Sequence, residues 1–231
     1  LDARAVLPGW SDDEIRQLLN RGIFSDAIYS MTRFRHREIR ELLTARQFQD
    51  ILEEPGARAE MTQVLFADSY GQKVIIPRTR PVLNWLMLFD PSIRDQALSI
   101  EPEVATEGGD PALLPIDVRR KTLRDIVARI VAGGSNRMDF SEVARIAHTD
   151  LSDDVSELLE AHFDDEQVLF FLGRLIWQGA MEAPAVKLKP IVFDTKRDLY
   201  SRIIAVRAIA AIENYDLLFE VWDTLNHSGE V

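Results

Sequence analysis

The sequence predicts a mainly α-helical protein: a helix, a small β-hairpin and a second helix, followed by a long array of short helices. Three observations carry this. Apolar residues recur at helical spacing through most of the chain, as at Ile39, Leu42, Leu43, Ile51 and Leu52. Alternating, strand-like runs concentrate at Ile23-Phe24 and from Ile28 to Phe34, around Ser25-Asp26. Beyond residue 57 the one extended candidate is Val74-Ile-Ile76, which Pro77 assigns to a linker or a sheet edge.

The first element is announced by Ser11-Asp-Asp-Glu14, a capping box in which a hydroxyl at the N-cap and a carboxylate three residues on satisfy two orphan amides. The helix it starts places Ile15, Leu18 and Leu19 on one face and meets Gly22, a natural residue for a left-handed helix stop. After the two strands, a helix is expected from about Arg37 to Glu53, ended by Pro55-Gly56. Its apolar residues Ile39, Leu42 and Leu43 are expected to be buried. Helix, hairpin, helix is the order of the last part of a winged helix, so residues 1–54 are read as a winged-helix-like segment.

Residues 55–231 are read as a helical-repeat domain. Pro, Gly and Asp divide it into helices around 58–67, 79–89, 92–100, 115–132, 139–148, 153–162, 165–178, 184–193, 196–213 and 215–226. Pro91-Ser-Ile93 through Ala97-Leu98 shares its pattern with Pro115-Ile-Asp-Val118 through Thr122-Leu123, and Arg202 to Ile209 is a looser copy. Proline opens the helix, a β-branched residue turns inward, and a small residue beside an aliphatic one follows a turn later. The pattern resembles the second helix of HEAT-like repeats, and the spacing is irregular. A HEAT-like α-solenoid or an irregular helical array is therefore expected.

Hydrophobic residues make up 46% of the 231 residues and charged residues 28%, a balance that supplies a sizeable core. No apolar run approaches a membrane span and no secretory leader is visible. Cysteine is absent, which excludes disulfides and thiolate metal sites and fits a reducing, cytoplasmic compartment. The formal net charge of −11 argues against general affinity for nucleic acid. A local basic patch of Arg33, Arg35, Arg37 and Arg40 is offset by Glu38 and Glu41, as on a solvated helix face.

The stretch Met31-Thr-Arg-Phe34-Arg-His36-Arg-Glu-Ile39 carries the most specific signal, a strand ending in an aromatic residue, then one histidine, then an amphipathic helix. It resembles the close of the winged helix in bacterial NACHT-type signalling NTPases, a branch of the STAND class of P-loop NTPases. In that family a histidine opening the last winged-helix helix faces the bound nucleotide and helps hold the resting, ADP-bound state. The resemblance covers residues 11–54 and carries over one site residue, His36. The residue after the histidine is often acidic or polar in the family; here it is Arg37. No Walker motif is present, and the chain opens on Leu1, so an excised piece of a larger protein is expected.

The resemblance implies a regulatory and interaction segment, not an enzyme by itself, in a cytoplasmic signalling or antiphage-defence ATPase. It implies no cofactor in this chain and ATP or ADP in the parent. The implied partners are other proteins or the upstream NTPase domain, with oligomerisation of the parent. Two alternatives stand beside it. A winged-helix nucleic-acid-binding module would need a basic recognition helix, whereas Asp12, Asp13 and Glu14 open the candidate helix. An all-helical hydrolase would have to use carboxylates such as Asp153 and Asp154, which no spacing singles out.

Other constellations read as structural. Asp110-Pro111 after Gly108-Gly109 suits an N-cap with proline at the first helical position. Asp164 and Asp165, near His162 and Glu166, suit a cap and dipole partner rather than a metal site. Gln167 to Trp177 is apolar almost all round and should form a central buried helix. Trp85, Trp177 and Trp222 are expected in the core.

Overall fold

The computed structural model describes residues 3–28, 31–133 and 140–228. Over the described residues the protein is mainly α-helical with two small antiparallel strand pairs. It forms two compact units, Leu1–Arg94 and Asp95–Val231, so the expected boundary at 54/55 falls inside the first. Among the described residues no helix is long and apolar enough to cross a membrane.

The first unit runs α1 (Ala3–Val6), α2 (Asp12–Leu19), β1 (Phe24–Ile28), β2 (Met31–Phe34), α3 (Arg37–Glu53), α4 (Ala57–Leu65), β3 (Phe66–Ser69), β4 (Gln72–Ile75) and α5 (Arg80–Leu86). The helix α6 (Pro91–Ile100) begins in this unit and ends in the second. The capping box forms as expected: the Ser11 amide donates to the Glu14 carboxylate at 2.8 Å, and the Glu14 amide donates to Ser11 Oγ at 3.4 Å. Gly22 does not stop α2. The helix ends at Leu19 with Asn20 as a right-handed C-cap, and Gly22 keeps a negative φ.

The strands β1 and β2 pair with Phe24 opposite Phe34. Ser25 and Asp26 lie inside β1 and do not separate two strands.

Ile39, Leu42 and Leu43 do not form the buried face of α3. Ile39 and Leu42 are half-buried, and Leu43 is 49% exposed. The inward residues are Ala45 and Leu52, with Glu41 and Phe48 partly covered, because α3 packs on α4 and α5 through that row. The row follows the i, i+4, i+7, i+11 rhythm, whereas Leu43 lies on the opposite side. Arg46 stacks on the Phe89 ring, 3.7 Å from its centroid, and covers the edge of this interface.

Of the two expectations for Val74-Ile-Ile76, the sheet edge holds: Val74 and Ile75 lie in β4, one strand of a second hairpin. β3 and β4 pair from Phe66–Ile75 to Ser69–Gln72, joined by Tyr70 and Gly71, both at positive φ (52° and 76°). Positive φ at both loop residues is the signature of a tight hairpin turn whose twist matches its strands. Asp90 then organises the end of the unit. Its carboxylate accepts the Ile93 amide at 2.9 Å, capping α6, and accepts from Arg58 on α4 at 2.8 Å. Burial pushes the Asp90 carboxyl up, but Arg58 and the amides of Ile93 and Ser92 outweigh it, and the net displacement is downward.

The second unit contains α7 (Ile116–Val131), α8 (Phe140–Ile146), α9 (Ser152–Ala161), α10 (Glu166–Gly179), α11 (Glu182–Lys187), α12 (Lys189–Phe193), α13 (Leu199–Ala211) and α14 (Tyr215–Ser228). The expected central helix is α10, where every residue from Val168 to Ile176 except Phe170 is buried. α7, α8, α9, α11 and α13 all pack on it. This is an irregular helical array about one central helix. The small-plus-aliphatic pairs of the weak repeat, Ala97-Leu98, Thr122-Leu123 and Ala208-Ile209, are all buried. Asp165 caps α10 by accepting the Gln167 and Val168 amides at 3.0 and 3.1 Å, while Asp164 instead pairs with Arg197 at 2.7 Å. Asp110 precedes a short 3-10 turn, Pro111–Leu113, without a side-chain cap. Trp85 and Trp177 are half-buried, but Trp222 is 59% exposed, because α14 packs through Leu217 and Val221 instead.

The tightest approach is at Gly173 of α10. A Cβ there would lie 2.8 Å from Cγ2 of Ile204 on α13. Gly173→Ala gains about 1 kcal/mol of helix propensity. It should still destabilise the chain, because overpacking a full core costs about 1–3 kcal/mol and the β-branched Ile204 has little rotamer freedom. Denaturant unfolding should show a smaller Gly173→Ala loss in an Ile204→Ala background; strict additivity would show that the two positions do not meet.

The Asp90 arrangement predicts an acid limb in stability. A carboxyl held low when folded contributes stability above its unfolded pKa of about 3.9, lost as pH falls through the folded value. The wild-type chain should therefore lose more unfolding free energy than Asp90→Asn between about pH 5 and pH 2. Parallel acid limbs in the two proteins would refute this.

Candidate functional site

His36 sits where the first hairpin hands over to α3. The Phe24 and Phe34 rings stack with centroids 5.2 Å apart and close the hairpin end. The Arg35 amide donates to the Ile23 carbonyl at 2.8 Å, extending the ladder by one rung. The next residue, His36, is the N-cap of the 17-residue α3, with an extended backbone (φ −104°, ψ 129°). Its side chain makes no capping hydrogen bond and is exposed. Strand pairing up to Arg35 and helical pairing after Arg37 leave this junction with first-turn amides that α3 cannot satisfy internally.

The surrounding charge is partly spent locally. Arg37 pairs with Glu41 one turn on, and Arg33 Nε donates to Ser25 Oγ at 3.2 Å. Arg35 and Arg40 are exposed. Leading amides, a histidine ring and nearby guanidinium groups can hold a phosphate by hydrogen bonds and charge.

The other candidates separate in space or become structural. Asp153 is exposed, whereas Asp154 is 5% exposed and accepts from Arg120 Nε and an Arg124 guanidinium nitrogen, each at 2.8 Å. The two carboxylates therefore do not converge, and Asp154 ties α9 to α7. One turn earlier Asp150 accepts from Arg119 at 2.9 Å and lies 3.0 Å from His148 Nδ1. The Arg119 guanidinium holds the Asp150 carboxyl below its usual range, more strongly than burial raises it. Arg197 lies 5.2 Å from the Phe163 ring centroid and binds both Asp164 and Glu166. The arginine–carboxylate pairings join residues about thirty apart and have no local sequence signature. Among the described residues no group of three or more metal-ligating side chains converges. The apolar cavity beside Pro111, Leu114, Leu123 and Leu151 measures about 10 Å³, too small for a nucleotide.

No protein-family model, curated protein or solved structure matches the chain.

Asp154 provides a direct test of the structural reading. Removing a carboxylate that accepts two charged hydrogen bonds should cost about 1.5–3 kcal/mol. Asp153→Ala should stay within about 0.5 kcal/mol of wild type, as for an ordinary surface site. Equal losses in thermal or denaturant unfolding would contradict the assignment.

Proposed function

We propose that the chain is the regulatory and interaction segment of a bacterial NACHT-type STAND NTPase, joining the end of its winged helix to a degenerate HEAT-like helical array. In this reading the hydrolytic residues belong to the parent's P-loop domain, and the segment is not catalytic alone. It reports the ATP or ADP state of the parent to the helical array, which recognises a protein trigger or supports oligomerisation. A cytoplasmic signalling or antiphage-defence role follows from the same resemblance.

The observation that carries the reading is the state of His36. Its ring is exposed and does not cap α3, although it occupies the N-cap. Asp165 and Ser11, at the N-caps of other helices, use their side chains to satisfy amides. A histidine at such a junction is available to an external acceptor, and the amides behind it favour an anion.

The test belongs in the parent protein. His36→Ala should release ADP faster and raise trigger-independent activity, with the unfolding transition unchanged. Loss of a hydrogen bond to a charged group, about 1.5–3 kcal/mol, displaces a two-state equilibrium when the contact exists in one state only. Unchanged ADP release in a folded His36→Ala protein would exclude the sensing role.

A further inference from the structure

The last helix carries two apolar stripes, and the core uses one. Leu217 and Val221 are buried against the second unit. On the far side Tyr215, Phe219 and Trp222 are 66%, 70% and 59% exposed. Their i, i+4, i+7 spacing puts the three rings in one row along α14. Single exposed aromatics are ordinary, but three in register are not explained by chance surface composition.

Each ring is followed by an acid: Asp216 after Tyr215, Glu220 after Phe219, and Asp223 after Trp222. Successive residues lie about 100° apart around a helix. The acids therefore form a second row, parallel to the rings and on one flank only. Asp216, Glu220 and Asp223 are all exposed; Lys189 pairs with Glu220, the middle acid of the row, and His227 Nδ1 lies 3.4 Å from the Asp223 carboxylate.

We propose that this surface of α14 docks an amphipathic helix of a partner protein, one whose aliphatic row is flanked by Lys or Arg. The rings supply contact area with few rotors to immobilise, and the acidic row sets orientation and selects a basic flank. A second copy of this chain fits poorly. An antiparallel copy would bring both acidic rows to the same side, and each chain carries a formal net charge of −11. The same charge disfavours an anionic membrane surface. This inference rests on the reading of the helical array as a recognition surface, but it needs neither a nucleotide nor the parent NTPase.

The probe is a labelled synthetic helix with leucine at i, i+4, i+7 positions and lysine beside each, titrated with the full chain by fluorescence anisotropy. A matched peptide with glutamate in place of lysine is the control. The Leu/Lys peptide should bind, with affinity falling as salt rises, and the Leu/Glu peptide at least about tenfold more weakly. Phe219→Ser should weaken Leu/Lys binding by about tenfold or more, as for a central aromatic anchor. The double variant Asp216→Lys, Asp223→Lys should reverse the peptide preference. These side chains are exposed, and circular dichroism checks that each variant keeps its helices. Equal affinity for both peptides, or no binding of either, would overturn the proposal, as would wild-type dimerisation abolished by Phe219→Ser, or binding of phosphatidylserine vesicles in preference to the peptide. The peptide comparison on the wild-type chain stands even if a variant fails to fold. Failure of the His36 test leaves it unaffected.

Discussion

The close approach of α10 and α13 is the constraint around which the second unit is arranged. Gly173 leaves no side chain between the helices, so Ile204 seats directly against the α10 backbone. Ala205 and Ala208, both fully buried, keep the α13 side of the contact thin. With the two backbones this close, the larger α10 residues Phe171, Leu172 and Leu175 are directed into the spaces filled by other helices. Each such residue contributes about 1.5–3 kcal/mol by leaving water. One helix enclosed on nearly every side is also why the unit departs from a simple stack of pairs.

Around that apolar centre, charged pairs tie helices to one another and to the loops between them, across about thirty residues of chain. Arg119–Asp150, Arg120–Asp154, Lys187–Glu160, Lys189–Glu220 and Arg197–Glu166 are separated by 31, 34, 27, 31 and 31 residues. Most of these pairs are partly exposed and each contributes little to stability, about 0–1 kcal/mol at the surface. Their effect is on register: a long guanidinium reaching a defined carboxylate rejects a helix slid by a turn. Asp154, buried between two arginines, is the strongest instance.

The first unit has a different logic, because its hairpins and helix junctions leave polar backbone at the surface. Two helix starts close on their own side chains, Ser11 with Glu14 reciprocally and Asp90 through Ile93 and Arg58, whereas α3, α4 and α5 start without a side-chain cap. Gly56 has no side chain and Thr79 is buried, whereas the N-cap of α3 is an exposed histidine. That contrast gives His36 its place in the proposed function. An exposed ring at a helix start can meet a ligand, which a glycine or a buried threonine there cannot.

What the sequence determined by itself was local. The Ser11–Glu14 box, the break at Pro55-Gly56, the all-apolar run of α10 and nearly every helix of the second unit follow from capping chemistry and period, which act within a few residues. His36 was also legible, since a lone histidine between a strand and a helix is visible in one dimension. The second hairpin was written there too, in Tyr70-Gly71, but the loop is short and its strands too brief to stand out beside Pro77. Tertiary structure decided which apolar stripe turns inward. On α3 the Ala45 and Leu52 row is buried and Leu43 is not. On α14 Leu217 and Val221 are taken, and Tyr215, Phe219 and Trp222 remain outside. A helix with two apolar stripes has no preference between them until a neighbour arrives, and the shape of that neighbour is set by residues far away in the chain. The same reason hid the arginine–carboxylate pairs, whose partners are about thirty residues apart and meet only once the helices have packed.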